Sequence, residues 1–171
     1  MSAPAVRYIL APYLATPAEV VSRMVELADV RATDCVYDLG CGDGRLLIEA
    51  ARARGAAGLG VDIEPYWVEQ SRSNASEAGV SGLARFELQD ALEVDLAPAT
   101  VVFLYLVQWS TQRMLERLLR CCAPGTRIVS HSFGFDTVLD SATEVFVDHA
   151  GNSRKLHRCV IPGARPTESA L

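Results

Sequence analysis

Between residues 35 and 45 a short apolar run, Cys35-Val36-Tyr37-Asp38-Leu39, breaks into Gly40-Cys41-Gly42-Asp43-Gly44 and passes at once into a helical stretch beginning at Arg45. Few folds accommodate this. Glycines at alternate positions let the backbone take left-handed angles and let a ligand approach with no Cβ in the way. A buried strand ending in such a turn and feeding a helix suits a parallel α/β sheet, whose ligands sit beyond the carboxyl ends of the strands, where the strand order reverses. The start of the helix adds unpaired N–H groups and the positive end of a dipole.

The rest of the chain repeats the strand-then-helix pattern. Thr16-Pro17-Ala18-Glu19 predicts a helix start, with Thr16 as N-cap, Pro17 at the first helical position and Glu19 closing a capping box. Val20, Val21, Met24, Val25 and Ala28 follow at helical spacing. Residues 45–54 read as a helix stopped by Gly55, residues 58–63 as a strand, and residues 65–78 as a helix ended by Gly79. Residues 85–89 predict a third strand with Phe86 and Leu88 on one face. The almost wholly apolar residues 100–107 predict a central strand covered on both sides. Residues 110–122 carry Met114, Leu115, Leu118 and Leu119 at helical spacing, with Pro124-Gly125 as the stop. Residues 126–133 make a fifth strand, and residues 143–148 and 154–161, joined through Gly151-Asn152, a closing hairpin. The expected fold is α/β: a three-layer, doubly wound, mostly parallel sheet with right-handed crossovers and a C-terminal antiparallel hairpin.

Length and composition narrow the class further. The 171 residues, 50% hydrophobic and 22% charged, are enough for one folded core. The reading is a single domain over residues 1–171, with a lead-in or lid segment at 1–15, a core at 16–162 and a polar tail at 163–171. A net charge of −5 argues against a broad basic face for nucleic acid or anionic lipid, so neither is an expected partner. The apolar run 101–107 is far short of the roughly 18–20 residues a spanning helix needs, and the first ten residues lack a signal-peptide layout. Cys35, Cys41, Cys121, Cys122 and Cys159 include no C-x-x-C pair, which points to free thiols in a reducing cytoplasm. No short His or Cys spacing suggests a metal.

The acids around the glycine loop identify the expected ligand. Arg45 stands where a dinucleotide fingerprint wants glycine, and Asp38 and Asp43 sit in or beside the loop. A pyrophosphate within about 5 Å of a carboxylate would lose a few kcal/mol at an effective dielectric near 20. The same carboxylates favour an ammonium or sulfonium. Asp62 closes the second strand, where an acid accepts ribose hydroxyls, and Asp90 closes the third, where it can accept from an adenine amino group. A nucleoside with a cationic amino-acid arm meets these requirements, and S-adenosylmethionine is such a molecule.

Val36-Tyr37-Asp38-Leu39-Gly40-Cys41-Gly42-Asp43-Gly44-Arg45 resembles motif I of the class I, seven-strand, Rossmann-like methyltransferases. A narrower resemblance rests on Tyr13-Leu14-Ala15-Thr16-Pro17, on Gly60-Val61-Asp62-Ile63-Glu64-Pro65-Tyr66-Trp67-Val68 with Ser71-Arg72, and on residues 101–108. These are similar to the protein-lysine methyltransferases that include the mitochondrial ATP-synthase c-subunit enzyme and its archaeal relatives. The chain departs from that pattern at Leu106-Val107-Gln108, where a proline would precede the Gln. The resemblance implies that Gly40, Cys41 and Gly42 contact the methionine arm, Asp38 the ammonium and Asp62 the ribose. Ile63, Asp90 and Ala91 would flank the adenine, with Tyr13 and Thr16 folding over as a lid.

The implied activity is S-adenosylmethionine-dependent methyl transfer to a protein lysine. Tyr105 and Gln108 are the catalytic candidates, with Trp109, His131 and Phe133 around the acceptor channel. Alternatives are a small-molecule N-, O- or C-methyltransferase and a non-catalytic module that binds the same ligand. A base methyltransferase is disfavoured because Val107-Gln108-Trp109-Ser110 stands where those enzymes carry an acidic or Asn residue, two prolines and an aromatic. An NAD-dependent oxidoreductase is disfavoured by Asp38, Asp43 and Arg45.

Overall fold

The computed structural model describes residues 13–135 and 141–163; residues 1–12 of the expected lead-in and 164–171 of the expected tail lie outside them. The strands are β1 (Cys35–Leu39), β2 (Ala57–Asp62), β3 (Ala84–Leu88), β4 (Val101–Leu104), β5 (Arg127–His131), β6 (Ser141–Val147) and β7 (Ser153–Val160). The helices are α1 (Ala18–Leu27), α2 (Arg45–Arg54), α3 (Pro65–Glu77) and α4 (Gln108–Cys121). The strands form one sheet in the order β3-β2-β1-β4-β5-β7-β6. β1 to β5 run parallel, and β7 inserts antiparallel between β5 and β6. The three-layer, doubly wound sheet with its C-terminal hairpin is the architecture the alternation implies. The chain builds outward from β1 to β3, then returns to lay β4 on the other side of β1. That reversal is the switch point.

Helices α1, α2 and α3 share one core with Val36, Phe103 and Val129, built from Val20, Met24, Leu47, Ala50 and Val68. Helix α4 closes the opposite face by packing Met114, Leu115 and Leu118 with Leu39, Val102, Leu104 and Ile128. All four residues of β4 are buried, as its apolar sequence requires when both faces are covered. Among the described residues, no helix is long and apolar enough to cross a membrane.

Several local expectations fail, each for a physical reason. Pro17, not Thr16, occupies the N-cap of α1, and no side chain caps it. Pro17 is itself extended, with φ −57° and ψ 147°, so the helix begins at Ala18 and Thr16 lies one place outside the cap. Glu19 forms no capping box; its carboxylate accepts the His149 backbone N–H at 2.9 Å and pairs with the His149 ring. β4 ends at Leu104 and α4 already starts at Gln108, so Gln108 and Trp109 belong to the helix and not to the strand end. The apolar run continues past the strand because Leu106 is buried over Gly40, not because the strand is long. Leu88 is half exposed although Phe86 is buried, since β3 is the sheet edge and Leu88 its last residue. Leu119, expected on the apolar face of α4, is also partly exposed. Turns, not a helix, link β3 to β4, with Asp90 and Asp95 carboxylates accepting the N–H groups of Leu92 and Ala97.

Candidate functional site

A cleft opens beyond the carboxyl ends of β1 and β4. Its wall contains Tyr13, Thr16, Asp38, Gly40, Cys41, Gly42, Asp62, Ile63, Asp90 and Ala91, all ten residues expected around the nucleoside, and Tyr105. Gln108 is not among the lining residues; it is exposed at the first position of α4.

Backbone bonds explain why the loop holds its shape. The N–H groups of Gly40 and Cys41 both donate to the Val61 carbonyl at 2.9 Å, which pins the loop to the end of β2. Asp62 receives the Gly42 N–H on one oxygen at 2.9 Å and the Glu64 N–H on the other at 3.0 Å. Each oxygen keeps a second lone pair, so Asp62 can brace the loop and still accept from a ligand. Gly44 has φ +83°, and a Cβ there would lie 2.6 Å from the Phe86 ring and 2.9 Å from Ser71. The third glycine is therefore a packing requirement between the loop, β3 and α3.

The acids divide into two kinds. Asp43 is clamped by the Arg45 guanidinium; burial pushes its carboxyl up, but the bonds and charge of Arg45 outweigh this and hold it below the usual range. Asp38 lies between Gly60 of β2 and Phe103 of β4 and is 4% exposed. No hydrogen bond satisfies its carboxyl among the described residues. Burial, reinforced by the charges of Asp62 and Asp43, pushes it up to about 8. A buried acid in this state favours a cation as partner. Burial likewise raises the Cys41 thiol, so it stays protonated.

On the β4 side the Tyr105 ring lies against His131, centroids 4.2 Å apart and planes inclined by 33°. His131 is fully buried, and neither ring nitrogen has a partner among the described residues. Burial, then the nearby Arg154 charge, lowers it to about 4, so it is a neutral wall near the cleft at physiological pH. Trp109 and Phe133 are both partly exposed near this edge of the sheet. Because folding suppresses protonation of His131, it subtracts stability as pH falls from about 6.5 through 4 and has no such effect above. His131→Phe keeps a ring against Tyr105 and removes two unsatisfied nitrogens, so the variant is expected to gain about 1 kcal/mol at pH 7 and more at pH 5. Thermal unfolding at the two pH values checks both signs.

Leu14, Arg45, Glu64, Trp67, Gln89 and Leu106 also line the cleft, beyond the contacts expected from sequence. Gln89 and Leu106 are chain neighbours of Asp90 and Tyr105, so proximity is the available signal. For Trp67 the signal is an aromatic in the first turn of the helix that follows the acid at 62. Its ring stacks on Tyr13 at 3.7 Å.

A family model described as the ANTKMT methyltransferase domain matches residues 38–141. A protein-lysine N-methyltransferase of Saccharolobus islandicus is 41% identical over 71% of this chain and 76% of its own length. The ATP synthase c-subunit lysine N-methyltransferase of Rattus norvegicus is 31% identical over 78% of this chain, and the match spans 61% of that longer protein. Among solved structures, one described as an RNA methyltransferase from Salinibacter ruber, in complex with S-adenosyl-L-homocysteine, superimposes with a TM-score of 0.79 at 43% identity, covering 92% of this chain and 100% of that one. With more than half of its residues inside one family model and a relative matched over three quarters of that relative's length, the chain belongs to the ANTKMT methyltransferase domain family and is an S-adenosylmethionine-dependent methyltransferase.

Proposed function

We propose that the chain is a protein-lysine N-methyltransferase of the cytoplasm, with the nucleoside in the β1/β4 cleft and the acceptor amine entering beside Tyr105. The observation that carries the cofactor assignment is Asp38, a buried acid in the wall of the cleft with no partner among the described residues. In this reading Asp38 takes the ammonium and the backbone of Gly40, Cys41 and Gly42 follows the methionine arm. Asp62 accepts the ribose hydroxyls with its free lone pairs, Ile63, Asp90 and Ala91 flank the adenine, and Tyr13 and Thr16 cover the site. S-adenosylmethionine, when bound, supplies a methyl group activated on a sulfonium.

What the protein must add is alignment and a neutral amine. Holding acceptor, methyl carbon and sulfur in line removes most of the entropic barrier of a displacement. A lysine with an unperturbed pKa near 10.4 needs about 4 kcal/mol to lose its proton at pH 7.4. An apolar, aromatic wall supplies part of this by desolvation. Tyr105 backed by a neutral His131 provides such a wall, and burial raises the Tyr105 phenol, so the ring stays uncharged. Gln108, outside the cleft wall, is assigned to the acceptor's flanking chain. The names of the Saccharolobus and rat relatives support a lysine acceptor, and five free cysteines agree with a reducing compartment.

The description of the Salinibacter relative as an RNA methyltransferase favours RNA as a second reading. The −5 charge speaks against it, because phosphate contacts dominate nucleic-acid affinity. Incubation with methyl-labelled cofactor and fractionated lysate separates the classes. Label is expected in protease-sensitive material and, after digestion, on lysine. Label that survives protease and disappears with ribonuclease overturns the proposal, as does label confined to small metabolites.

A further inference from the structure

We propose that Arg45 is a positioning residue that latches the Tyr13–Thr16 strap over the glycine loop and thereby sets how tightly the nucleoside is held. The Arg45 guanidinium bonds three partners at once: Asp43, Thr16 and Tyr13. Its Nε donates to both Asp43 carboxylate oxygens, at 2.9 and 3.1 Å, and Nη2 reaches Asp43 as well. Its Nη1 donates to the Thr16 carbonyl at 2.6 Å, and Nη2 approaches the Tyr13 hydroxyl at 3.4 Å. One residue thus joins the loop to both ends of the strap.

The strap is otherwise lightly held. Tyr13, Leu14 and Ala15 are exposed, and only Thr16 is buried. The Tyr13 ring supplies the other anchor: it stacks on Trp67 and lies so close over Gly42 that a Cβ there would meet it at 2.6 Å. Tyr13, Thr16, Arg45 and Trp67 all line the same cleft. Asp43 fixes the Arg45 head, and the planar fork of an arginine is what allows carboxylate and carbonyl to be bonded together; a lysine ammonium lacks that geometry. When the fork is bound the strap covers the loop, and exchange of nucleoside requires it to lift.

The inference rests on the cleft being the S-adenosylmethionine site, so its test needs one readout free of that assumption. Trp67 and Trp109 are the two tryptophans of the chain. In a Trp109→Phe background, fluorescence therefore reports Trp67 alone, under the Tyr13 ring. Adding Arg45→Ala is expected to raise acrylamide quenching of Trp67 about twofold in the ligand-free protein, and Arg45→Lys to fall between. In the otherwise native chain, Arg45→Ala is expected to raise the KM for S-adenosylmethionine about tenfold, with kcat lowered less than twofold and the thermal midpoint nearly unchanged. Unaltered quenching overturns the latch whatever the ligand. Increased quenching with an unchanged KM also overturns it, because the strap would then lift without loosening the ligand. If the native chain binds no S-adenosylmethionine while Arg45→Ala still exposes Trp67, it is the cofactor assignment that fails and the mechanical link that stands.

Discussion

Asp38→Asn is expected to weaken S-adenosylmethionine binding by roughly 30- to 1000-fold and, at the same time, to make the ligand-free protein more stable. The binding loss follows from removing one member of a desolvated charge pair, a change that typically costs about 2–4 kcal/mol. The stability gain follows from the sign of the perturbation. Asp38 is held at about 8 in the folded chain, well above the 3.8 of an ordinary aspartate, with burial as the main cause and the Asp62 and Asp43 charges behind it. The folded state therefore prefers the protonated acid, and stability is lost progressively as pH rises from about 4 to 8. Asparagine has nothing to ionise. Its thermal midpoint should exceed that of the native chain by a margin that widens over this interval and then levels off. Saturating ligand should reverse the order at pH 8, because the native carboxylate then has its cation. At pH 7 binding to the native chain should also release close to one proton, seen as a calorimetric enthalpy that depends on the buffer's ionisation heat. Equal affinity in native and variant chains, with no proton released, would place the ligand's cation elsewhere.

The same residue shows why the site is more legible in the sequence than its surroundings. Asp38, Gly40, Gly42 and Asp62 are fixed by backbone needs: positive φ at two of them, strand register at the others, and a carboxylate bridging the loop to the next strand. Such requirements are local, so they leave a trace in spacing. The Arg45 fork is different. Its target at Thr16 lies 29 positions away, and nothing in the spacing says which of two carboxylates it will choose. The pairing with Asp43 matters, because it withdraws one of the two acids that the sequence leaves equally available for a cation. The sequence overstates the length of β4 for a related reason: apolarity reports burial, and Leu106 is buried in the loop beyond the strand. Thr16 and Glu19 match a capping box in letters only, since Glu19 finds a long-range partner in His149.

Gly58→Ala is expected to have the largest effect on folding of any single methyl added to the sheet, although Gly58 lies outside the cleft wall. Its Cβ would sit 2.2 Å from the Val36 carbonyl oxygen and 2.6 Å from a Leu47 methyl. Strand β2 lies between β1 and β3, so it cannot move outward without breaking a ladder. Leu47 has a side chain that can turn; the carbonyl has none. Overpacking of a core usually costs about 1–3 kcal/mol and more when backbone must shift. A loss of more than about 3 kcal/mol is therefore expected, a large fraction of the about 5–15 kcal/mol that holds an ordinary domain folded. Gly42→Ala makes the contrast. There φ is +52°, which strains any side chain, and the Cβ meets the Tyr13 ring on an exposed strap that can yield, so the fold should survive at some cost while cofactor affinity falls about tenfold, near 1.4 kcal/mol. Urea unfolding of both variants beside cofactor titration of Gly42→Ala checks the pair. The missing methyl at Gly58 lets α2 settle against β1 and β2, and α2 carries the loop at its amino end. The position of the loop thus depends on a close approach near the start of β2, outside the cleft wall.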